Sequence, residues 1–290
     1  MKFNKGQILK NVSSSWFSLG VNVVTGFILS PFIVHHLGDE AFGLWILIFS
    51  VTGYYGLFDL GIRSSIVRYA AKYSATGESE PLNRLVNTAM FSYSAIGAVA
   101  MSITLAAAYF VSSIFKIQPE FVTTARWLLL MVGASVSLGF PLGVFSGILE
   151  GLQRFYVLNF TNITSTILRT VLIIVSLQRG GGLLSVALIT VALPLINQIV
   201  NATVAFRILE LRIAPRYVNR STLKLIAGYS GTTFLIIIGG RLRFKTDAMV
   251  IGTFVGAAAI TFFTIGSRLV DYSSEVVSSL AQIFIPMSSQ

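Results

Sequence analysis

Residues 183–206 read LLSVALITVALPLINQIVNATVAF, a run with no charged side chain. At 1.5 Å per residue a helix of this length extends about 36 Å, enough to cross a hydrocarbon core of about 30 Å. Seven further stretches are likewise long and mostly apolar, although five of them carry charged residues, at about 11–34, 41–62, 85–111, 123–147, 157–177, 224–250 and 258–283. Many contain Ser, Thr, Gly and Asn, as in NVSSSWFSLGVNVVTG, the pattern of helices that pack on one another or line a wet interior. The expected fold is therefore all-α, a polytopic membrane helix bundle with about eight transmembrane helices. Composition agrees: 54% of the 290 residues are hydrophobic and 11% charged, against about 25% charged in a soluble domain. A soluble enzyme is excluded. The chain has no cysteine and two histidines, His35 and His36, so disulfides and thiolate metal sites are absent and no metal or cofactor is expected. The first stretch is too long and polar for a cleaved signal peptide and is read as mature structure.

Charge then orients the bundle. Lys2, Lys5 and Lys10, then Arg63, Arg68, Lys72 and Arg84, then Arg154, then Arg207, Arg212, Arg216, Arg220 and Lys224 fall on one side; Lys116, Arg126 and Arg179 fall on the other. The positive-inside rule places the N-terminus in the cytoplasm and predicts a multi-pass protein of the inner, cytoplasmic membrane. The net charge of +10 thus reports topology and not nucleic-acid binding. The longest connections, about 63–84 and 207–223, are read as cytoplasmic loops too short to be catalytic domains.

Displacing the sequence by 218 positions aligns Ile33 with Ile251, Gly38 with Gly256, Ala41 with Ala259 and Tyr54 with Tyr272. The hydropathy rhythm repeats as well, a long helix, a short Gly-containing outer turn and another helix. Six helices before the repeat give two lobes of the same orientation. The expected division is a first six-helix lobe at 1–212 and the first two helices of a second lobe at 213–290.

Four segments, SPFIVHHLGDEAFGLW (30–45), FDLGIRSSIVRYAAKY (58–73), GILEGLQRFYVLN (147–159) and KTDAMVIGTFVGAAAI (245–260), resemble the polysaccharide flippases of the multidrug/oligosaccharidyl-lipid/polysaccharide exporter superfamily. The likeness runs along the whole chain and rests on the order and spacing of the segments. Thr261 and Phe263 depart from the family's usual Gly and Tyr after the second-lobe turn. Such proteins usually have twelve or more helices in two lobes around a central cavity, so the resemblance implies that the second lobe is incomplete here and that the 290 residues alone could be inactive. It also implies translocation of a lipid-linked oligosaccharide, a polysaccharide repeat unit, across the cytoplasmic membrane by alternating access, with membrane lipids and polysaccharide assembly proteins as partners.

Charges at membrane depth are costly and face a cavity or a partner. They are Arg169, Arg241, Arg243, Lys245 and Arg268, expected to bind substrate, and Asp247, Asp271 and Glu275, expected as coupling groups or charge partners. The fork of an arginine suits the oxygens of a pyrophosphate. Alternative readings stay open: Arg241, Arg243 and Lys245 within snorkelling reach of the outer headgroups, Arg268 paired with Asp271 or Glu275, Arg169 paired with a group elsewhere. Gly139, Gly143, Gly147 and Gly151 form a stripe expected to admit a neighbouring backbone. Pro31, Pro141 and Pro194 are candidate kinks, His35 and His36 a solvated turn, and Asp59 with Arg63 an interfacial pair. No Gly-rich phosphate loop is present, so direct ATP use is not expected. Two other functions remain in view: a multidrug or toxin exporter, which favours an acidic or aromatic pocket for cations, and a membrane-embedded glycan polymerase or acyltransferase, which would be an enzyme; the leading expectation is no enzymatic activity.

Overall fold

The computed structural model describes residues 5–115, 117–268 and 270, with side chains at all of these except 5–9, 12, 229–233 and 235–245. The described chain is helical with no strand: α1 (Lys5–Leu37), α2 (Asp39–Gly53), α3 (Ile62–Thr76), α4 (Ser79–Ile114), α5 (Val122–Gly151), α6 (Phe155–Gln178), α7 (Leu183–Ile208) and α8 (Arg220–Phe254), then a further helical run at 257–268. Six segments among the described residues, in α1, α2 with the 3-10 turn after it, α4, α5, α6 and α7, are long and apolar enough to cross a membrane. The seventh expected span lies within α8. The eighth begins in the run at 257–268, and its remainder lies outside the described residues. The protein is an all-α polytopic membrane bundle.

One expected loop is a helix. Residues 63–84 contain α3 and the first turn of α4. In α3, Ile62, Ser65, Ile66 and Ala70 are buried while Arg63, Arg68 and Lys72 are exposed, which is a narrow helical stripe with a basic outer face. A search for wholly apolar runs passes over such a helix. Its buried face lies on α5, where a Cβ on Gly151 would come within 2.6 Å of the Val67 carbonyl and one on Gly147 within 3.1 Å of Ile66 Cγ2. Two of the four stripe glycines thus serve close packing against α3; Gly139 faces Gln198 of α7, and a Cβ at Gly143 would meet nothing.

Helices α1 and α6 run parallel and in register. Asn159 donates to Ser14 Oγ (2.9 Å) and Ser15 Oγ (3.0 Å), Asn162 to Ser18 Oγ (3.2 Å) and Thr166 to Asn22 Oδ1 (3.3 Å), with sequence separations of 144 or 145 throughout. A constant separation is the mark of parallel chains, since in antiparallel helices the sum of the paired positions is constant instead. The Asn and Ser residues of the first stretch are therefore interhelical glue. Around the polar seams lie two apolar clusters. One, including Phe42, Leu47, Ile48, Leu128, Ile173 and Ile260, occupies the end of the bundle where α1 turns into α2. The other, including Ile66, Leu85, Val86, Ile148, Leu149 and Ile226, occupies the opposite end. Large side chains such as Phe17, Phe91, Tyr109 and Phe160 point outward, where hydrocarbon replaces water as solvent.

Asp59 and Arg63 do not pair as side chains. Arg63 Nη2 sits 2.9 Å from Glu150 Oε2 on α5, and Asp59 Oδ1 accepts from Tyr93 and from the Arg63 backbone amide at 3.4 Å. The left-handed Leu60 and Gly61 between the 3-10 turn and α3 redirect the chain, so the helical i,i+4 geometry presumed for the pair does not exist.

Candidate functional site: an intramembrane cavity

A cavity of about 470 Å³ opens among α1, α2, α6, α7, α8 and the 257–268 helix, within the size range of small-molecule sites. Its position follows from the elements. It takes residues 22–33 of α1, 42–50 of α2, 169–173 of α6 and 247–248 of α8, which places it in the half of the bundle nearer the α1–α2 turn.

Of the sequence-predicted residues, Arg169, Asp247 and Arg268 line this one space, although they are far apart in sequence. Arg169 projects from α6 three residues beyond Thr166, the last rung of the α1–α6 ladder, so the seam of amides and hydroxyls runs up to the guanidinium. No hydrogen bond or ion pair to Arg169 occurs among the described residues, whose salt bridges are Arg63–Glu150 and Arg84–Glu80. Arg268 donates to Ser30 Oγ of α1, and its guanidinium carbon lies 5.9 Å from the centroid of the Phe42 ring. A cation over an aromatic face is held by the ring quadrupole. Two arginines against one aspartate leave the described wall cationic. Arg241, Arg243 and Lys245 belong to the α8 backbone, but their side chains lie outside the described set; Asp271 and Glu275 lie outside the described residues. No group of three or more potential metal ligands occurs among the described residues. His35 and His36 end α1 exposed, with His36 Nδ1 2.9 Å from the Phe32 carbonyl.

Phe263, one of the two departures from the family pattern, also lines the cavity, and most of the remaining wall has no charge to mark it in sequence. Asn22, Thr25, Ser30, Thr190 and Ser267 supply neutral polar groups, while Phe42, Trp45 and Phe49 of α2 form an aromatic face. The signal was present, since Phe42, Trp45 and Phe49 recur at helical spacing and Asn22 and Thr25 interrupt an apolar run. Nothing in sequence says that these two faces oppose each other.

Beyond the cavity, toward the α1–α2 turn, α2 meets the 257–268 helix at backbone distance. An ideal Cβ on Gly43 would fall 1.8 Å from the Ala257 carbonyl oxygen, and Thr261 Oγ1 donates to the Asp39 carbonyl at 2.8 Å. These contacts are reciprocal under the 218-residue repeat: Gly43 corresponds to Thr261, and Ala257 to Asp39. A contact that maps onto itself is what a twofold axis between two copies produces. The two turns agree as well, with Gly38 at φ +79° and Gly256 at φ +137°, where side chains are disfavoured. Thr261, the departure from the family pattern, is fully buried and its hydroxyl closes the contact.

The chain is a multi-pass helical bundle with a polar cavity between its helices, and solved structures share this fold. The fold matches the outward-facing conformation of a multidrug resistance MATE family transporter of the MOP superfamily, with a TM-score of 0.70 at 18% identity over 95% of this chain and 62% of that one. It also matches the inward-facing conformation of a MATE family multidrug resistance transporter, at 0.65 and 19% over 86% and 56%. A MOP superfamily transporter from Pyrococcus furiosus Vc1 (DSM3638), described as having a binding pocket of reversed polarity that suggests a different function, matches at 0.67 and 18% over 92% and 60%. The chain spans about 62% of the length of the first of these. By sequence, the chain belongs to the polysaccharide biosynthesis protein family, which it matches over residues 8–290. No curated protein sequence gives a match.

Proposed function

We propose that the protein moves a lipid-linked oligosaccharide across the cytoplasmic membrane without changing its covalent structure. The observation behind this reading is Arg169, a guanidinium at membrane depth with no partner among the described residues, facing the cavity that Arg268 also lines. A cation left so is costly unless an anion or water completes it, and a pyrophosphate supplies oxygens matched to two arginine forks. The lipid tail stays in the bilayer while the headgroup crosses through the cavity. In this reading 1–212 is one lobe, 213–290 begins the second, and Arg241, Arg243 and Lys245 extend the cationic surface, with Asp247, Asp271 and Glu275 as its charge partners. The reciprocal contact at Gly43 and Thr261 closes the outer side of the cavity, and alternating access separates it while the opposite end closes. The N-terminus is cytoplasmic.

The test is translocation of a labelled lipid-linked oligosaccharide in vesicles containing the purified protein. Arg169→Ala is expected to lower the rate at least about tenfold, with Arg169→Lys intermediate because a point charge lacks the planar fork. Unchanged translocation in an Arg169→Ala, Arg268→Ala double variant rules the assignment out, and a new glycosidic or ester product would make the protein an enzyme instead. A second reading has its own observation: the aromatic face of Phe42, Trp45 and Phe49 beside Asp247 suits a lipophilic cation. Uptake of such a cation that Asp247→Asn abolishes, with no oligosaccharide movement, favours the multidrug exporter.

A further inference from the structure

The segment between α7 and α8, residues 209–219, has no regular element apart from the short 3-10 turn Pro215–Tyr217, yet its backbone is held by side chains of α4. Asn83 Oδ1 accepts from the Arg212 amide (2.7 Å), and its Nδ2 lies 3.5 Å from the Glu210 carbonyl. One turn along α4, Asn87 Oδ1 accepts from the Ala214 amide (2.8 Å) and its Nδ2 donates to the Arg212 carbonyl (2.8 Å). Thr88 Oγ1 accepts from the Asn219 amide (3.1 Å), and the Asn219 side chain caps α8 through Ser221. Two asparagine amides thus act as the rungs that a neighbouring strand would provide. The clamp has a reason in the solvent. Residues 83–88 stand where the apolar run of α4 begins, and a backbone entering hydrocarbon there would find unpaired amides and carbonyls expensive.

The clamp turns a particular set of side chains outward. Arg212, Arg216 and Arg220 are exposed and make no ion pair among the described residues. Ile213 and Val218, between them, are also exposed, at 48% and 37%. Arg216 lies over Tyr217 at 5.1 Å from the ring centroid, and tyrosine favours the membrane interface. In residues 209–224 the basic groups are Arg212, Arg216, Arg220 and Lys224, and the acid is Glu210. A water-filled loop would have no need of rigid apolar side chains alternating with arginines, and a soluble acidic partner would leave Ile213 and Val218 without use at the hydrocarbon border.

We propose that the clamped 209–219 segment is a binding surface for anionic phospholipid of the leaflet at which α4 begins, the arginines taking headgroup phosphates while Ile213 and Val218 contact the upper acyl chains. This assignment is independent of what the cavity transports. Because the segment joins α7 to α8, bound lipid would hold the start of α8 against α4.

The experiment is native mass spectrometry of the full chain in detergent titrated with phosphatidylglycerol or with phosphatidylcholine. The wild type is expected to retain phosphatidylglycerol preferentially. An Arg212→Gln, Arg216→Gln, Arg220→Gln variant is expected to lose about fivefold in retention per arginine, about a hundredfold in all, because each basic group near an anionic surface contributes about that factor. The corresponding Arg→Lys variant is expected to keep the preference. Should the glutamine variant fail to fold, wild-type retention measured from about 0.15 M to about 0.6 M salt replaces it; retention of phosphatidylglycerol should fall while that of phosphatidylcholine holds, since the screening length shortens. Equal retention of the two lipids by the wild type, an undiminished preference in the glutamine variant, or a preference insensitive to salt would each overturn the proposal.

Discussion

A methyl group at position 43 is expected to unlatch the contact between α2 and the 257–268 helix. The ideal Cβ lies 1.8 Å from the Ala257 oxygen, 2.4 Å from its carbonyl carbon and 3.2 Å from the Ala258 nitrogen. A carbon and a carbonyl oxygen rest at about 3.3 Å or more, so the two helices must part by about 1.5 Å. That separation stretches the 2.8 Å bond from Thr261 to the Asp39 carbonyl to about 4.3 Å, beyond any hydrogen bond. Overpacking costs about 1–3 kcal/mol, and the lost buried bond adds about 1 kcal/mol. The joint effect, about 2–4 kcal/mol, shifts the balance toward the separated arrangement by about 30- to 700-fold, at about 1.4 kcal/mol per factor of ten. The chain has no cysteine, so spin labels at Glu40→Cys and Phe262→Cys report the distance across the contact against no background. Gly43→Ala should lengthen that distance. Thr261→Val alone should lengthen it less, and adding Thr261→Val to Gly43→Ala should change nothing further, because the bond is already broken. Ala257→Gly should fail to rescue, since the clashing atom is backbone. An unchanged distance distribution in Gly43→Ala, or full additivity of the two substitutions, would refute the reasoning.

Three other outcomes can be checked by thermal unfolding in detergent. Gly151→Leu should cost several kcal/mol, in the overpacking range and above it, because its Cβ would lie 2.6 Å from the Val67 carbonyl; protease sensitivity confined to α3 would accompany it. Asn201→Leu removes the partner of Thr161 Oγ1 (3.0 Å) and of Ser146 Oγ (3.3 Å) and should lower stability by about 1–3 kcal/mol; a neutral result would mean that the α5, α6 and α7 polar junction contributes nothing net. Glu150→Gln should change stability by less than about 1 kcal/mol despite the 2.9 Å ion pair, because Arg63 and Glu150 keep 47% and 31% of their side-chain surface and exposed pairs are screened.

The membrane fold was legible because its cause is local. A helix that must satisfy its own backbone in hydrocarbon needs about twenty apolar residues in a row, and runs such as 123–147 and 183–206 declare this without reference to any neighbour. The same rule hid α3, whose stability comes from four buried positions packed among α4, α5 and α8, with Ser65 bonded to the Ile226 carbonyl of α8, and not from apolar length. Asp59 and Arg63 misled for a related reason: a spacing of four implies a pair only if the backbone between is helical, and Leu60 and Gly61 are left-handed.

Arg169 and Arg268 could be named from sequence because a charge inside an apolar run is costly wherever the run ends up. Their membership of one cavity with Asp247 could not, because it depends on how α1, α2, α6, α8 and the 257–268 helix pack. The same division holds at the turns. The two turn glycines, Gly38 and Gly256, could be aligned from sequence by the 218-residue displacement, and each sits at a positive φ in the structure. That Gly43 meets Ala257 while Thr261 meets Asp39 was a matter for the tertiary structure, since a reciprocal contact is a property of two surfaces brought together, and sequence specifies each surface without specifying the axis between them.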